Sequence, residues 1–160
     1  MVKKRNDISQ SAKKAGLYLM IVVVLLAAAL LFSIYKSSRD KEKEVCFDKE
    51  CFNVELAVTT EQQVLGLSSR EGLENEKGML FVFSKMGEYD FWMKDMLFNL
   101  DIIWISDNKV VYIAKNQSPC AESCPIINPD VNSNYVLEVN AGTVDKLGIL
   151  VGDNAEIKIN

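Results

Sequence analysis

The longest uninterrupted apolar stretch lies near the N-terminus. No residue from Ala15 to Tyr35 is charged at neutral pH, and Leu17 to Phe32 is nearly pure hydrocarbon. At a rise of about 1.5 Å per residue, that span makes a helix roughly 31 Å long, which matches the hydrocarbon layer of a bilayer. The pattern predicts a transmembrane helix over 15–35, with a basic head at 1–14 and a charged tether at 36–44. A cleaved signal peptide fits less well: Ala27-Ala28-Ala29 lies inside the apolar stretch, and the boundary Ser33-Ile34-Tyr35-Lys36 lacks paired small residues.

From residue 45 to 160 the period shortens. Cys46-Phe47 and Cys51 to Val58 read as a hairpin, the second strand with Phe52, Val54, Leu56 and Val58 at alternate positions. Thr60 with Gln63 three residues on fits a capping box, and Val64, Leu65 and Leu67 give the helix that follows an apolar face. Strands are then expected at Gly78–Phe83, Phe91–Lys94, Asp101–Ser106, Val110–Ile113, Tyr135–Val139 and Ala155–Ile159, with Asp107-Asn108 as a hairpin turn. Ala141 to Leu147 reads as a second short helix, stopped by Gly148. Many short strands and two small helices predict a mainly β domain, sandwich or barrel-like, with α+β character at its margins.

Composition narrows the chemistry. The chain contains no histidine, which excludes Ser-His-Asp and Cys-His nucleophiles, HExxH zinc proteases and histidine metal sites. Its four cysteines form two close pairs, Cys46 with Cys51 and Cys120 with Cys124. Even number and tight spacing point to two local disulfides; a four-thiolate zinc site and free buried thiols are the rival readings. No metal or other cofactor is expected. There is no CxxC, so a thioredoxin-like redox role has no support.

Orientation follows from the cysteines. Basic residues flank the apolar span five against five, namely Lys3, Lys4, Arg5, Lys13 and Lys14 before it and Lys36, Arg39, Lys41, Lys43 and Lys49 after it. The positive-inside rule therefore gives no direction. Disulfides place the domain outside the cytoplasm and the N-terminus inside, in a cell membrane crossed once. Past the helix, 13 bases face 21 acids, a net charge of about −8, which disfavours nucleic acid as a partner. An envelope polymer, a small ligand or a neighbouring membrane protein fits better.

Several motifs occur in a fixed order: Gly78-Met-Leu-Phe-Val-Phe, Phe91-Trp-Met-Lys, Leu100-Asp-Ile-Ile-Trp-Ile, Tyr135-Val-Leu-Glu-Val, Ala141-Gly, and Gly148-Ile with Gly152-Asp. Together they resemble the DUF192 family (UPF0127) over roughly Cys51 to Ile159. The resemblance implies a compact, mostly β domain, often exported, and no defined reaction. The chain departs from the family pattern at Ser68, at Asp95-Met96 and at Asn99.

Five side chains stand out as a candidate ligand site: Arg70, Trp92, Lys94, Asp101 and Glu138. If they converge, Trp92 would form a flat apolar wall and the charges would orient a ligand. The plainer reading is that these are satisfied polar groups that fix register, with Lys94 and Asp101 as a partly buried ion pair. Met93 and Trp104 are expected in the core. A ligand-binding or protein-interaction module is the favoured class. The alternative is a metal-independent hydrolase or lyase using the carboxylates of Asp101 and Glu138 with Lys94 as base.

Overall fold

A computed structural model describes residues 18–33, 43–48 and 50–159. The chain divides into two units, residues 1–41 and 42–160. In the first, residues 18–33 form helix α1, with its apolar side chains exposed. Among the described residues, no helix is long and apolar enough to cross a membrane. The expected span is described over 18–33 only; its ends, the basic head and nearly all of the tether lie outside the described residues.

Among the described residues the second unit holds seven strands: β1 (Glu44–Phe47), β2 (Glu50–Ala57), β3 (Lys77–Glu88), β4 (Leu100–Ser106), β5 (Lys109–Gln117), β6 (Asn132–Asn140) and β7 (Glu156–Lys158). Helix α2 (Thr60–Leu65) follows β2, and α3 (Thr143–Leu147) follows β6. All seven strands join one sheet in the order β5-β4-β6-β3-β2-β1-β7, so the domain is mainly β but not a two-sheet sandwich. Among the described strands β2 and β3 are the parallel pair, with α2 in the connection between them, and a parallel pair needs such a crossover.

Local signals explain most boundaries. Asp107 and Asn108 both have positive φ, 49° and 59°, the geometry a two-residue hairpin needs between β4 and β5. Gly148 ends α3 at φ 68°, in the left-handed region that favours glycine. The capping box of α2 sits one residue earlier than expected. Thr59 is the N-cap and accepts from Gln62 N, while the Gln62 side chain accepts from Thr59 N at 3.0 Å. The expected strand at Phe91–Lys94 is absent; that segment makes only isolated bridges, Phe91 to Ile127 and Lys94 to Cys120. β3 runs longer than expected, and at Gly78 a Cβ would lie 2.9 Å from the Glu138 carbonyl oxygen, so glycine permits the close approach of β3 to β6.

The sheet curls until its edges meet. Val110 N donates to Asp153 O, Gly152 N to Val110 O and Ala155 N to Asn108 O, which links the start of β5 to the segment leading into β7. This curvature separates two cores. The inner one gathers Val45, Phe52, Leu80, Ile103, Ile105 and Leu137, together with Val144 of α3 and Ile149. The outer one gathers Leu67, Met79, Phe81, Met93, Ile102 and Trp104. Strands β3, β4 and β6 are therefore buried on both faces, and neighbouring residues along them enter different cores.

Both cysteine pairs are disulfide-bonded, Cys46 to Cys51 and Cys120 to Cys124. The first closes the mouth of the β1–β2 hairpin, where the two residues are register partners. The second lies in the loop between β5 and β6 that backs the 91–96 segment: Cys120 N donates to Met93 O, and Asp95 N to Cys120 O.

Candidate functional site

Above the outer face, α2 and the 89–96 segment stand apart and leave a cleft of about 320 Å³. Its walls are mostly apolar: Val64, Leu65 and Leu67 on the α2 side, Phe81 and Phe83 from β3, and Phe91, Trp92, Met96 and Ile126 opposite. Each wall is fixed by hydrogen bonds. Gln63 Nε2 donates to Ala57 O and Val82 O, which holds α2 to the parallel pair. Trp104, fully buried, donates from Nε1 to Tyr89 O at 2.9 Å and so anchors the start of the far wall. Phe91 and Ile127 exchange backbone hydrogen bonds in both directions.

One carboxyl group lies among these apolar walls. Glu138 on β6 pairs in register with Met79 on β3 and Ile102 on β4, both members of the outer core, so its side chain shares their face. The residue is 5% exposed and lines the cleft, and its Oε2 has no hydrogen-bond partner among the described residues. Ser133 and Asn134 also carry a buried unpartnered oxygen, but neither lines the cleft. Burial pushes the Glu138 carboxyl up to about 8, because a charge there would lose its water without gaining a partner. A carboxyl in that range can exchange a proton near neutrality and can donate or accept a hydrogen bond.

The other expected site residues go elsewhere. Asp101 lies beside Ile102 on β4 and so faces the inner core. Its Oδ1 accepts from Asn116 N at 2.8 Å and its Oδ2 from Val144 N at 2.9 Å. Asp101 and Glu138 therefore point to opposite faces of the sheet and cannot act on one reacting group. The expected ion pair of Asp101 with Lys94 does not form: Lys94 is exposed, and Asp101 is occupied by two backbone donors. Arg70 makes a bidentate pair with Glu55 on β2, at 2.7 and 2.8 Å. Hydrogen bonding to Arg70 holds the Glu55 carboxyl below its ordinary value and raises the guanidinium in turn. Of the five, the structure brings Trp92 and Glu138 to one cleft. Met93 and Trp104 are buried in the outer core.

Gln63, Phe83, Tyr89 and Asp90 also line the cleft, and no local motif in the sequence marks them as doing so. The available signal was aromatic density: Phe81, Phe83, Tyr89, Phe91 and Trp92 crowd into one short stretch around the end of β3. Two contacts show how they use it, a stacked Phe83–Tyr89 pair and an edge-on Phe81–Phe91 pair with centroids 4.9 Å apart.

A curled, single-sheet, mainly β domain with an aromatic cleft over its parallel pair is the class this geometry defines. The DUF192 family model, described as an uncharacterized ACR, matches residues 43–157, and the chain belongs to that family. Two solved structures are similar to it. One, a Sinorhizobium meliloti 1021 protein provisionally titled a transcription regulator, is 34% identical with a TM-score of 0.66, over 72% of this chain and 92% of that one. The other, a protein of unknown function from Novosphingobium aromaticivorans DSM 12444, is also 34% identical, with a TM-score of 0.64, over 72% of this chain and 83% of that one. No protein with a curated description matches the chain.

Proposed function

We propose that this chain is an envelope-tethered module that binds a small molecule in the cleft between α2 and the 89–96 segment. The observation that carries the reading is Glu138: a buried carboxyl with an unpartnered oxygen, in an apolar cleft of a size that suits a small ligand. An orphaned polar atom is costly in a folded domain unless something else completes it. Support for the tether is the uncharged run from Ala15 to Tyr35, and the two disulfides favour an oxidising compartment. Catalysis by a carboxylate pair has no geometric support, since Asp101 faces away.

The chain has two tryptophans, so an indole NMR spectrum of the full protein in micelles contains two N–H signals. A library of small aromatic and aliphatic fragments is expected to include members that shift the Trp92 signal in a saturable way. Val64→Phe, which narrows the mouth of the cleft, is expected to abolish those shifts. A library that leaves the Trp92 signal in place, or binding that survives Val64→Phe, defeats the reading.

A further inference from the structure

We infer that the cleft takes an organic cation, a molecule with an ammonium group on an apolar body, and that Glu138 is its counter-ion. The inference rests on the small-molecule reading above and names the class of ligand. Among the described residues, the ionisable groups lining the cleft are Glu138, Asp90 and Tyr89, with no lysine or arginine. An anion would find no basic side chain in the cleft to pair with. A neutral apolar molecule would leave Oε2 of Glu138 without a partner. An ammonium group supplies N–H donors to that oxygen and a charge that compensates its burial, while aromatic side chains such as Phe81, Phe91 and Trp92 suit its apolar body and its charge.

The surroundings of Glu138 leave this role to it. From β3 and β4 the facing residues are Met79, Phe81, Ile102 and Trp104, which do not titrate. From β2, on the same face one strand further away, Glu55 is already paired with Arg70. Gln63 of α2 is neutral and committed to two backbone carbonyls. The Tyr89 hydroxyl donates to Lys85 O, and Asp90 is exposed at the rim.

Proton balance makes the idea testable. The empty domain holds Glu138 as the neutral acid at pH 7, since burial raises it to about 8. Binding an ammonium ion to the carboxylate form releases that proton to solvent, so the two events are linked. The probe pair is 2-phenylethylammonium and its neutral analogue 2-phenylethanol, titrated into the full chain in micelles and read at the Trp92 indole signal. Affinity for the ammonium ion is expected to rise about tenfold per pH unit from pH 6 towards 8 and then level off. Affinity for the alcohol is expected to stay flat.

Glu138→Gln is expected to weaken the ammonium ion by about tenfold or more and to remove its pH dependence, leaving the alcohol unchanged. Asp90→Asn is expected to have the smaller effect. Should the alcohol bind as tightly as the ammonium ion, or the pH profile be flat, or Asp90→Asn outweigh Glu138→Gln, the cation proposal falls while the small-molecule reading stands. If neither probe moves Trp92, the cation proposal falls; the fragment library then decides the broader reading. The pH profile of the unaltered chain provides the test even if a variant fails to fold.

Discussion

The carboxylate of Asp101 on β4 caps a helix forty-three residues further along the chain, accepting the backbone N–H of Val144 at 2.9 Å. Helix α3 has no side-chain cap of its own, its N-cap position being Gly142. The second oxygen of the same carboxylate accepts from Asn116 N, where the β4–β5 register is irregular. One buried acid thus serves two backbone donors that the strand ladder and the helix leave open.

Asp101→Ala is therefore expected to destabilise the domain by about 2–3 kcal/mol, because the buried Val144 N–H and the partly buried Asn116 N–H lose their acceptor together. Asp101→Asn is expected to cost less, since one oxygen remains. Chemical denaturation measures both. Ligand shifts at Trp92 should survive in either variant under folding conditions; a variant of full stability that loses those shifts would move Asp101 into the binding site.

Glu138 gives the opposite kind of effect. Its carboxyl rises from an ordinary 4.5 to about 8 on folding, so the folded state holds the proton more tightly than the unfolded chain. Its ionisation adds no cost at pH values well below the ordinary value. It destabilises the fold increasingly as pH climbs towards 8, and the cost is constant above that. At pH 7 the penalty is on the order of 3 kcal/mol. Glu138→Gln is expected to match the unaltered chain near pH 4 and to exceed its stability progressively up to pH 8. Parallel stability curves for the two proteins across that range would contradict the burial argument.

The contrast between these two acids shows what the sequence could and could not reveal. Asp107-Asn108, the two cysteine pairs and the positions of seven of the eight expected strands were legible, because each is set by short-range chemistry: a two-residue turn, a loop closure, an apolar run. Which face Asp101 or Glu138 occupies was not. Leu100 to Ile105 is buried at every position, so its pattern carries no phase to assign alternate side chains to one core or the other. Phe91–Lys94 misled for a related reason. Its aromatic run has strand propensity, but tertiary bonds to Cys120 and Ile127 hold it as a cleft wall instead.

The Cys120–Cys124 bridge backs that wall. Replacing both cysteines with serine is expected to cost about 2 kcal/mol in the chain-entropy model. Amide exchange at Asp95, whose N–H is bonded to Cys120 O, should accelerate, and ligand affinity at the cleft should fall. The corresponding change at Cys46 and Cys51 is expected to lower stability by a similar amount without altering affinity. Equal loss of affinity in the two variants would mean that the second bridge has no particular hold on the cleft.

For the tether, full-length chain is expected to sediment with membranes and to resist extraction by high salt, whereas chain lacking residues 1–41 should stay in the supernatant. A membrane-impermeant thiol reagent applied to intact cells after mild reduction should label the cysteines. Full-length chain recovered in the high-speed supernatant would refute anchoring, and labelling only after lysis would reverse the orientation.

Strand β1 lies between β2 and β7, so Glu44, Val45 and Cys46 align with Lys158, Ile157 and Glu156. The earliest strand of the domain to leave the ribosome thus waits for the latest before its outer edge is satisfied. Until β7 arrives, an incomplete sheet edge is exposed to chaperones or to its own kind. Nicks or deletions in β7 should accordingly compromise the yield of the domain far more than its three residues suggest.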